Sequence, residues 1–272
     1  MAALRLSWYK FKHHYGDFLK VLLGILIFEV LIIYIQKKEF LTTFENTRMT
    51  LFLLLFSSSL LILVQNSIYI SKERAILNRD FFSTLHRWSF GLATLAFNTM
   101  FALIETVVFV AGYHVFSQAF DKELASKGQV FDGFSFEISI TVFLIFLCAH
   151  YLALLISSLV GASDITSVIL AVVVGIMQFS LSGTILQLPK AIKGISQFIF
   201  LSFGHKAMGI SNNLEGIKSA MAKFHVPLPK DQVEMFERSH SAMYGHWGAL
   251  MVHALVYAIL LMLVLRFKKE KL

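Results

Sequence analysis

Cysteine, proline and charge are all scarce in this chain. Its 272 residues hold one cysteine and three prolines, and only 15% are Asp, Glu, Lys or Arg. The lone Cys148 excludes an intrachain disulfide framework and a cysteine-based zinc site. It stands inside an apolar run, where a small packed thiol is expected. No Asn-x-Ser/Thr sequon occurs, which leaves a bacterial origin open. The low charge content excludes a disordered chain. The net charge of +7 does not indicate a nucleic-acid binder, because the basic residues flank apolar runs. Enzyme signatures are missing too: there is no His-Glu-x-x-His, no Gly-x-Ser-x-Gly and no Gly-rich phosphate loop ending in Lys-Ser/Thr. The chain is read as a non-enzyme that binds no ATP, no cofactor and no metal of its own. Met1–Lys20 lacks the apolar core and the small-residue cleavage site of a secretory signal.

What the chain has instead is apolar residue, 57% of the total with 27 phenylalanines, at a mean hydropathy of +0.70. Soluble domains run near ~45–50% apolar, and a membrane helix needs ~20 consecutive apolar residues. Six such runs lie along the sequence: Phe18–Ile35, Thr50–Ile70, Trp88–Phe116, Phe134–Val160, Ser167–Leu186 and Gly248–Phe267. The expected fold is an all-α membrane protein with six transmembrane helices. Residues 1–17 mix Trp8, Tyr9, Phe11 and Tyr15 with Arg5, Lys10 and Lys12, as in a helix lying at the membrane interface. Gly161–Thr166 reads as a tight turn. Residues 187–247 form a long loop holding Pro189, Pro227 and Pro229, and within it Ala191–Met208 is apolar enough for a re-entrant or interfacial helix pair. No internal repeat is visible, which weighs against transporters built from inverted repeats.

Orientation follows from the basic residues. With both termini in the cytoplasm, twelve lie inside: Arg5, Lys10, Lys12, Lys20, Lys72, Arg74, Arg79, Arg87, Arg266, Lys268, Lys269 and Lys271. The short outer loops then hold five, Lys37, Lys38, Arg48, Lys122 and Lys127. The positive-inside rule favours this choice, and long loops count little in it.

Four ionisable residues fall within or beside the runs: Glu29, Glu105, His150 and His253. Charge in hydrocarbon is costly and usually faces a bundle interior. Two readings stand for them: a proton or ion relay, or interhelical hydrogen bonds with the carboxyls kept neutral by burial. The relay would make the chain an ion- or proton-coupled secondary transporter or channel, the alternative function. The remaining histidines, His205, His225, His240 and His246 among them, lack ligand-like spacing and are read as surface or interfacial. In Ser71–Arg87, the charged Lys72, Glu73, Arg74, Arg79 and Asp80 alternate with Ile76, Leu77, Phe81 and Phe82. A helix here puts Glu73 and Asp80 on one face. Such a charged amphipathic helix suits docking to a soluble partner, whereas an ordinary inside loop needs only the basic residues.

The run Gln65-Asn66-Ser67-Ile68-Tyr69-Ile70-Ser71-Lys72-Glu73-Arg74-Ala75-Ile76-Leu77-Asn78-Arg79-Asp80 resembles the second-span end and coupling segment of ABC-2 type permeases. It shows a Glu-Arg pair and an acidic residue seven positions after the Glu. Phe179-Ser180-Leu181-Ser182-Gly183-Thr184-Ile185-Leu186, with 195–208 behind it, resembles the family's Ser-Gly at the outer end of the fifth span and its re-entrant segment. The order of elements is similar to that of G-subfamily ABC exporters. The resemblance implies one ABC-2 type transmembrane domain over 1–272, with an interfacial connecting helix at 1–17, a cytoplasmic coupling helix at 71–87 and an outer loop with a re-entrant segment at 187–247.

The same resemblance implies the permease subunit of an ATP-binding cassette exporter in a bacterial inner or plasma membrane. The chain would work as a dimer with a second copy or a homologous permease, surrounded by lipid. Separate ATP-binding cassette subunits would carry the ATP and Mg. The implied cargo is lipid-like, amphipathic or a cell-envelope compound. By position, Lys72, Glu73, Arg74, Arg79 and Asp80 would contact the ATPase, with Glu73 and Arg74 in ion pairs and Asp164 as a second contact. Phe179, Ser182, Gly183, Thr184 and Ile185 would form the outer gate, though Thr184 departs from the usual aliphatic plug residue. Leu61 falls where some drug exporters carry a cavity aromatic.

The charge asymmetry makes a direct prediction. A single cysteine introduced at Asn213 in a Cys148→Ala background should react with an impermeant reagent applied from outside. Reaction only from the cytoplasmic side would invert the topology.

Overall fold

A computed structural model describes residues 2–36, 44–83, 85–122, 124, 127–128, 130–160, 163–186, 188–217, 236–237 and 239–267, with side chains from Tyr15 onward except at 82 and 83. The described residues form helices and no strand: α1 (Ala2–Ile35), α2 (Phe44–Asn66), α3 (Arg74–Ser83), α4 (Arg87–Ala119), α5 (Phe134–Leu159), α6 (Asp164–Ser180), a 3-10 turn (Lys193–Phe198), α7 (Phe200–Ser211) and α8 (His240–Phe267). The expected Lys37 and Lys38, residues 161 and 162 of the tight turn, His225, Pro227, Pro229, Lys268, Lys269 and Lys271 lie outside the described residues. So do the side chains of Phe82 and of the interfacial segment up to residue 14.

The chain is a multi-pass membrane protein. Tyr15–Ile35 of α1 and the whole of α2, α4, α5 and α8 are each long and apolar enough to cross a bilayer. The fifth expected span, Ser167–Leu186, is represented by α6, which is apolar but only 17 residues long. At a rise of ~1.5 Å per residue that is roughly 26 Å, short of a ~30 Å hydrocarbon core. The helix stops because Leu181 leaves helical geometry and Gly183 takes a left-handed φ of 71°, which a glycine adopts without a Cβ clash. Two other boundaries also differ from expectation. The interfacial segment and the first span are one unbroken helix, with Lys20 paired to Asp17 at 2.9 Å one turn away. The second span starts at Phe44 rather than Thr50, so Arg48 sits inside a helix.

α5 is the centre of the bundle and packs on α2, α4, α6, α7 and α8. Its sequence allows this, since Cys148, Ala149 and Ala153 are fully buried and let neighbouring backbones approach. Lipid offers helices no hydrophobic drive to associate, so close van der Waals packing and interhelical hydrogen bonds hold the contacts. α1 packs on α2 and α4 at the edge, and turns Leu19, Leu23, Ile27 and Leu31 outward. α8 packs on α5 and α4 and turns out Met251, Leu255 and Ile259. The bundle thus has an α3 end, where α2, α5 and α8 finish and α4 and α6 begin, and a far end capped by α7 and the 3-10 turn.

Candidate functional site

The α3 end is tied together by polar groups that lipid cannot satisfy. Ser157 Oγ, near the end of α5, accepts from the backbone N–H groups of Ile70 at 2.9 Å and Ser71 at 3.0 Å. Ser71 Oγ donates to Asp164 Oδ1 at 2.9 Å, in the first turn of α6. Arg74 donates to the carbonyls of Ser158, at 3.3 Å, and Val160. These are C-terminal carbonyls of α5, which a helix leaves without internal donors. The Glu73 carbonyl accepts from Leu77 N–H at 2.9 Å and starts α3. Leu77 then buries against Ile70, Phe90, Leu154 and Leu261, with Phe81 edge-on to Phe90 at 5.6 Å. Arg87 lies over Phe81 and donates to the Leu265 carbonyl at 3.1 Å, the end of α8.

This geometry sorts the residues expected to meet a partner. Lys72 and Arg79 are exposed, Glu73 and Asp80 half-buried, and Arg79 and Asp80 lie 3.8 Å apart. Arg74 differs from expectation. It is 8% exposed and its guanidinium points into the chain, so it braces α5 instead of facing outward. Asp164, expected as a separate contact, is joined to the α3 segment through Ser71.

The far end is closed around Ser182–Ile185. Ser182 Oγ donates to the Phe179 carbonyl at 3.0 Å, and Thr184 Oγ1 donates to Ser182 Oγ at 3.2 Å. Ser182 and Thr184 are buried, whereas Gly183 and Ile185 are half-buried. Phe179 packs on Phe52 and Phe56 of α2 at 5.4 and 5.2 Å. Leu61 is not part of this group. Its side chain lies against Gly24 of α1, where an added Cβ would collide with it.

Sequence reasoning missed three residues here. Arg48 is 5% exposed, donates to the Thr184 carbonyl at 3.0 Å and pairs with Glu45 at 2.7 Å. Its own carbonyl accepts from His205 Nε2 at 2.9 Å. His205 was expected at a surface but is fully buried in α7, and burial pushes it down to about 3, which keeps the ring neutral. Gln178 accepts from Leu201 N–H at 3.3 Å and joins α6 to α7. The signal was present in each case: a lone polar residue in an apolar helix must find a partner.

Of the four ionisable residues in the spans, the structure brings two together. His150 Nε2 and Glu105 Oε2 lie 2.7 Å apart, fully buried between α5 and α4. His150 Nδ1 lies 3.0 Å from Asn98 Oδ1. Glu29 is buried with neither carboxyl oxygen hydrogen-bonded, packed where Gly112 of α4 leaves room. His253 bonds the Ala249 carbonyl of its own helix at 2.7 Å. Among the described residues these groups form no continuous hydrogen-bonded chain, so the relay expectation gains nothing from the geometry.

Among known families, the one described as ABC-2 type transporter has a model that matches residues 4–210. The match runs from α1 through α7 and includes both ends just described. No curated protein was found to match the chain.

Arg48→Ala removes the donor to Thr184 and leaves a buried carbonyl unpaired, at a cost of about 1–3 kcal/mol. With Ile185→Cys in a Cys148→Ala background, a thiol reagent applied at the far end should then react at least about tenfold faster, the equivalent of ~1.4 kcal/mol. An unchanged rate would mean that Arg48 does not hold this closure.

Proposed function

The chain belongs to the ABC-2 type transporter family, and from that premise we propose that it is the membrane subunit of an ATP-binding cassette exporter. In this reading it forms a dimer with a second copy or a homologous permease. ATP and Mg reside on separate ATP-binding subunits, and this chain supplies pathway and gate but no catalysis. Both termini and α3 face the cytoplasm, and the far end faces outward, in a bacterial inner or plasma membrane. The cargo is a lipid-like, amphipathic or cell-envelope compound.

The observation that supports this most is the bracing of α3. A short charged helix outside the spans is useful for coupling only if a push on it reaches the bundle. Ser71 and Arg74 join its start to α5 and α6, and Leu77 and Phe81 seat it on α4, α5 and α8. An ATPase that moves the exposed Lys72–Asp80 surface would therefore move the span ends with it. At the far end, the Arg48–Thr184–His205 contacts tie α2, the segment after α6 and α7 into one closure. Tilting of α2 and α6 would open it. That is alternating access, in which the two ends are joined by α2, α5 and α6. The apolar face of α6, with Ile165, Ile169, Val173 and Ile176 exposed, is available for the second permease.

An exposed ion pair contributes only about 0.2–1 kcal/mol, but one that loses its mate in a buried interface costs about 3–5 kcal/mol. Glu73→Lys should leave the chain folded. It should lower co-purification with the ATPase, or ATP turnover coupled to transport, at least about tenfold, or ~1.4 kcal/mol. Asp132→Lys is the charge control, because Asp132 is exposed in the loop before α5. Glu45 would be a poor control, since its carboxylate holds Arg48. Equal behaviour of the two lysine variants would remove α3 as the coupling element.

A further inference from the structure

We infer that the cavity between α1, α2, α3, α4 and α5 binds an amphiphile carrying a protonated aliphatic amine, with Glu105 receiving the amine. The site goes beyond the exporter reading, because it lies within one chain and is loaded without an ATPase.

The cavity is about 310 Å³ and lies at the α3 end. That is near the lower bound of ligand pockets, roughly 300–1,000 Å³, and suits a headgroup with part of one alkyl chain. Among its lining residues Lys72 and Ile76 are exposed, Ile76 at 51%, which puts them on the side open to solvent. Phe18 and Phe101, whose ring centroids are 4.8 Å apart, form an apolar wall. Glu105 and His150 line it deeper in. Of its ionisable lining, Asp17 pairs with Lys20 and Glu105 with His150, and Glu73 and Lys72 carry opposite charges.

The Glu105–His150 pair supplies the polar end. Asn98 Nδ2 donates to the Thr94 carbonyl at 2.9 Å, so its Oδ1 faces His150 and accepts from Nδ1–H. One further proton lies between His150 Nε2 and Glu105 Oε2, 2.7 Å apart. In either position the pair is neutral overall, and Glu105 Oε1 is left as an acceptor. Glu105 Oε1 is buried and has no hydrogen-bond partner. A buried acceptor left unpaired is costly, and an ammonium group brings up to three donors. The apolar wall would take the first methylenes of its chain. A hydroxyl brings one donor and no charge, and a carboxylate brings none and would face Glu105 Oε1, itself an acceptor.

The full chain in phosphatidylcholine nanodiscs would be titrated with dodecylamine, dodecanol and dodecanoate by calorimetry, with empty discs subtracted. We expect saturable binding of one dodecylamine per chain, with the other two at least about tenfold weaker, or ~1.4 kcal/mol. Glu105→Gln keeps the shape but replaces the carboxyl by an amide that brings donors of its own, and should weaken dodecylamine by a similar factor. Ile76→Trp narrows the mouth, leaves the Glu105–His150 pair intact and should do the same. It decides the matter if Glu105→Gln does not fold. Equal binding of all three amphiphiles, no binding above empty discs, or native affinity in a folded variant would overturn the site. None of these results touches the exporter reading, which fails or stands on the ATPase experiment.

Discussion

A helix end in or near hydrocarbon has carbonyls that neither the helix nor water can satisfy, and this bundle meets that need with cations from neighbouring elements. Arg74 donates to Ser158 and Val160 at the end of α5, and Arg87 to Leu265 at the end of α8. Arg48 donates to Thr184 past the end of α6, and Lys122 to Gln36 past the end of α1. Arg74 and Arg87 also meet the negative ends of the α5 and α8 dipoles. Since every donor belongs to a different element from its acceptor, each cap is at the same time a brace. The positions of α3 and of the far-end closure both follow from these braces.

Such braces have a functional consequence. A loop that merely connects two spans can move without them. The segment 67–83 cannot, because Ser157 holds its backbone, Asp164 its Ser71 hydroxyl, and the α5 carbonyls its Arg74. The links are few and short, and they converge on α5, the most enclosed of the five candidate spans. Force applied at α3 is thereby shared among α5 and α6 directly, and reaches α2 through continuous chain. The far-end closure uses the same helices from the other side, through Arg48 on α2 and Thr184 after α6. In the proposed alternating access, opening one end and closing the other would require only that α2 and α6 tilt against α5.

Much of this was legible in the sequence. Runs of ~20 apolar residues give the all-helical membrane fold directly, and the ABC-2 resemblance rested on residues within the stretch that the family matches. The charged Lys72–Asp80 run announced a helix outside the spans. What was not legible was direction. Period and composition put Arg74 on that helix but could not say that it turns inward, because its acceptors Ser158 and Val160 are distant in sequence. Arg48 was counted among loop residues, since a single arginine at the edge of an apolar run looks like a span boundary. His205 looked superficial for the same reason, until α7 placed it against the Arg48 carbonyl. The end of the fifth run was set too late, at Leu186, because the apolar count continues past Gly183 while the helix does not.

The claim on which everything else rests is that α3 and the α5–α6 junction move as one body. Spin labels at exposed Ala75 on α3 and exposed Ile165 on α6 would report it by pulsed dipolar distances. The proposed complex with an ATPase and a second permease would be compared without nucleotide and trapped with ATP. Within one permease chain, the Ala75–Ile165 distance distribution should stay the same in both states, while the Ala75–Ala75 distance between the two permeases changes. An Ala75–Ile165 distance that shifts as much as the inter-permease one would show α3 swinging free of the bundle, and would contradict transmission through Ser71 and Arg74.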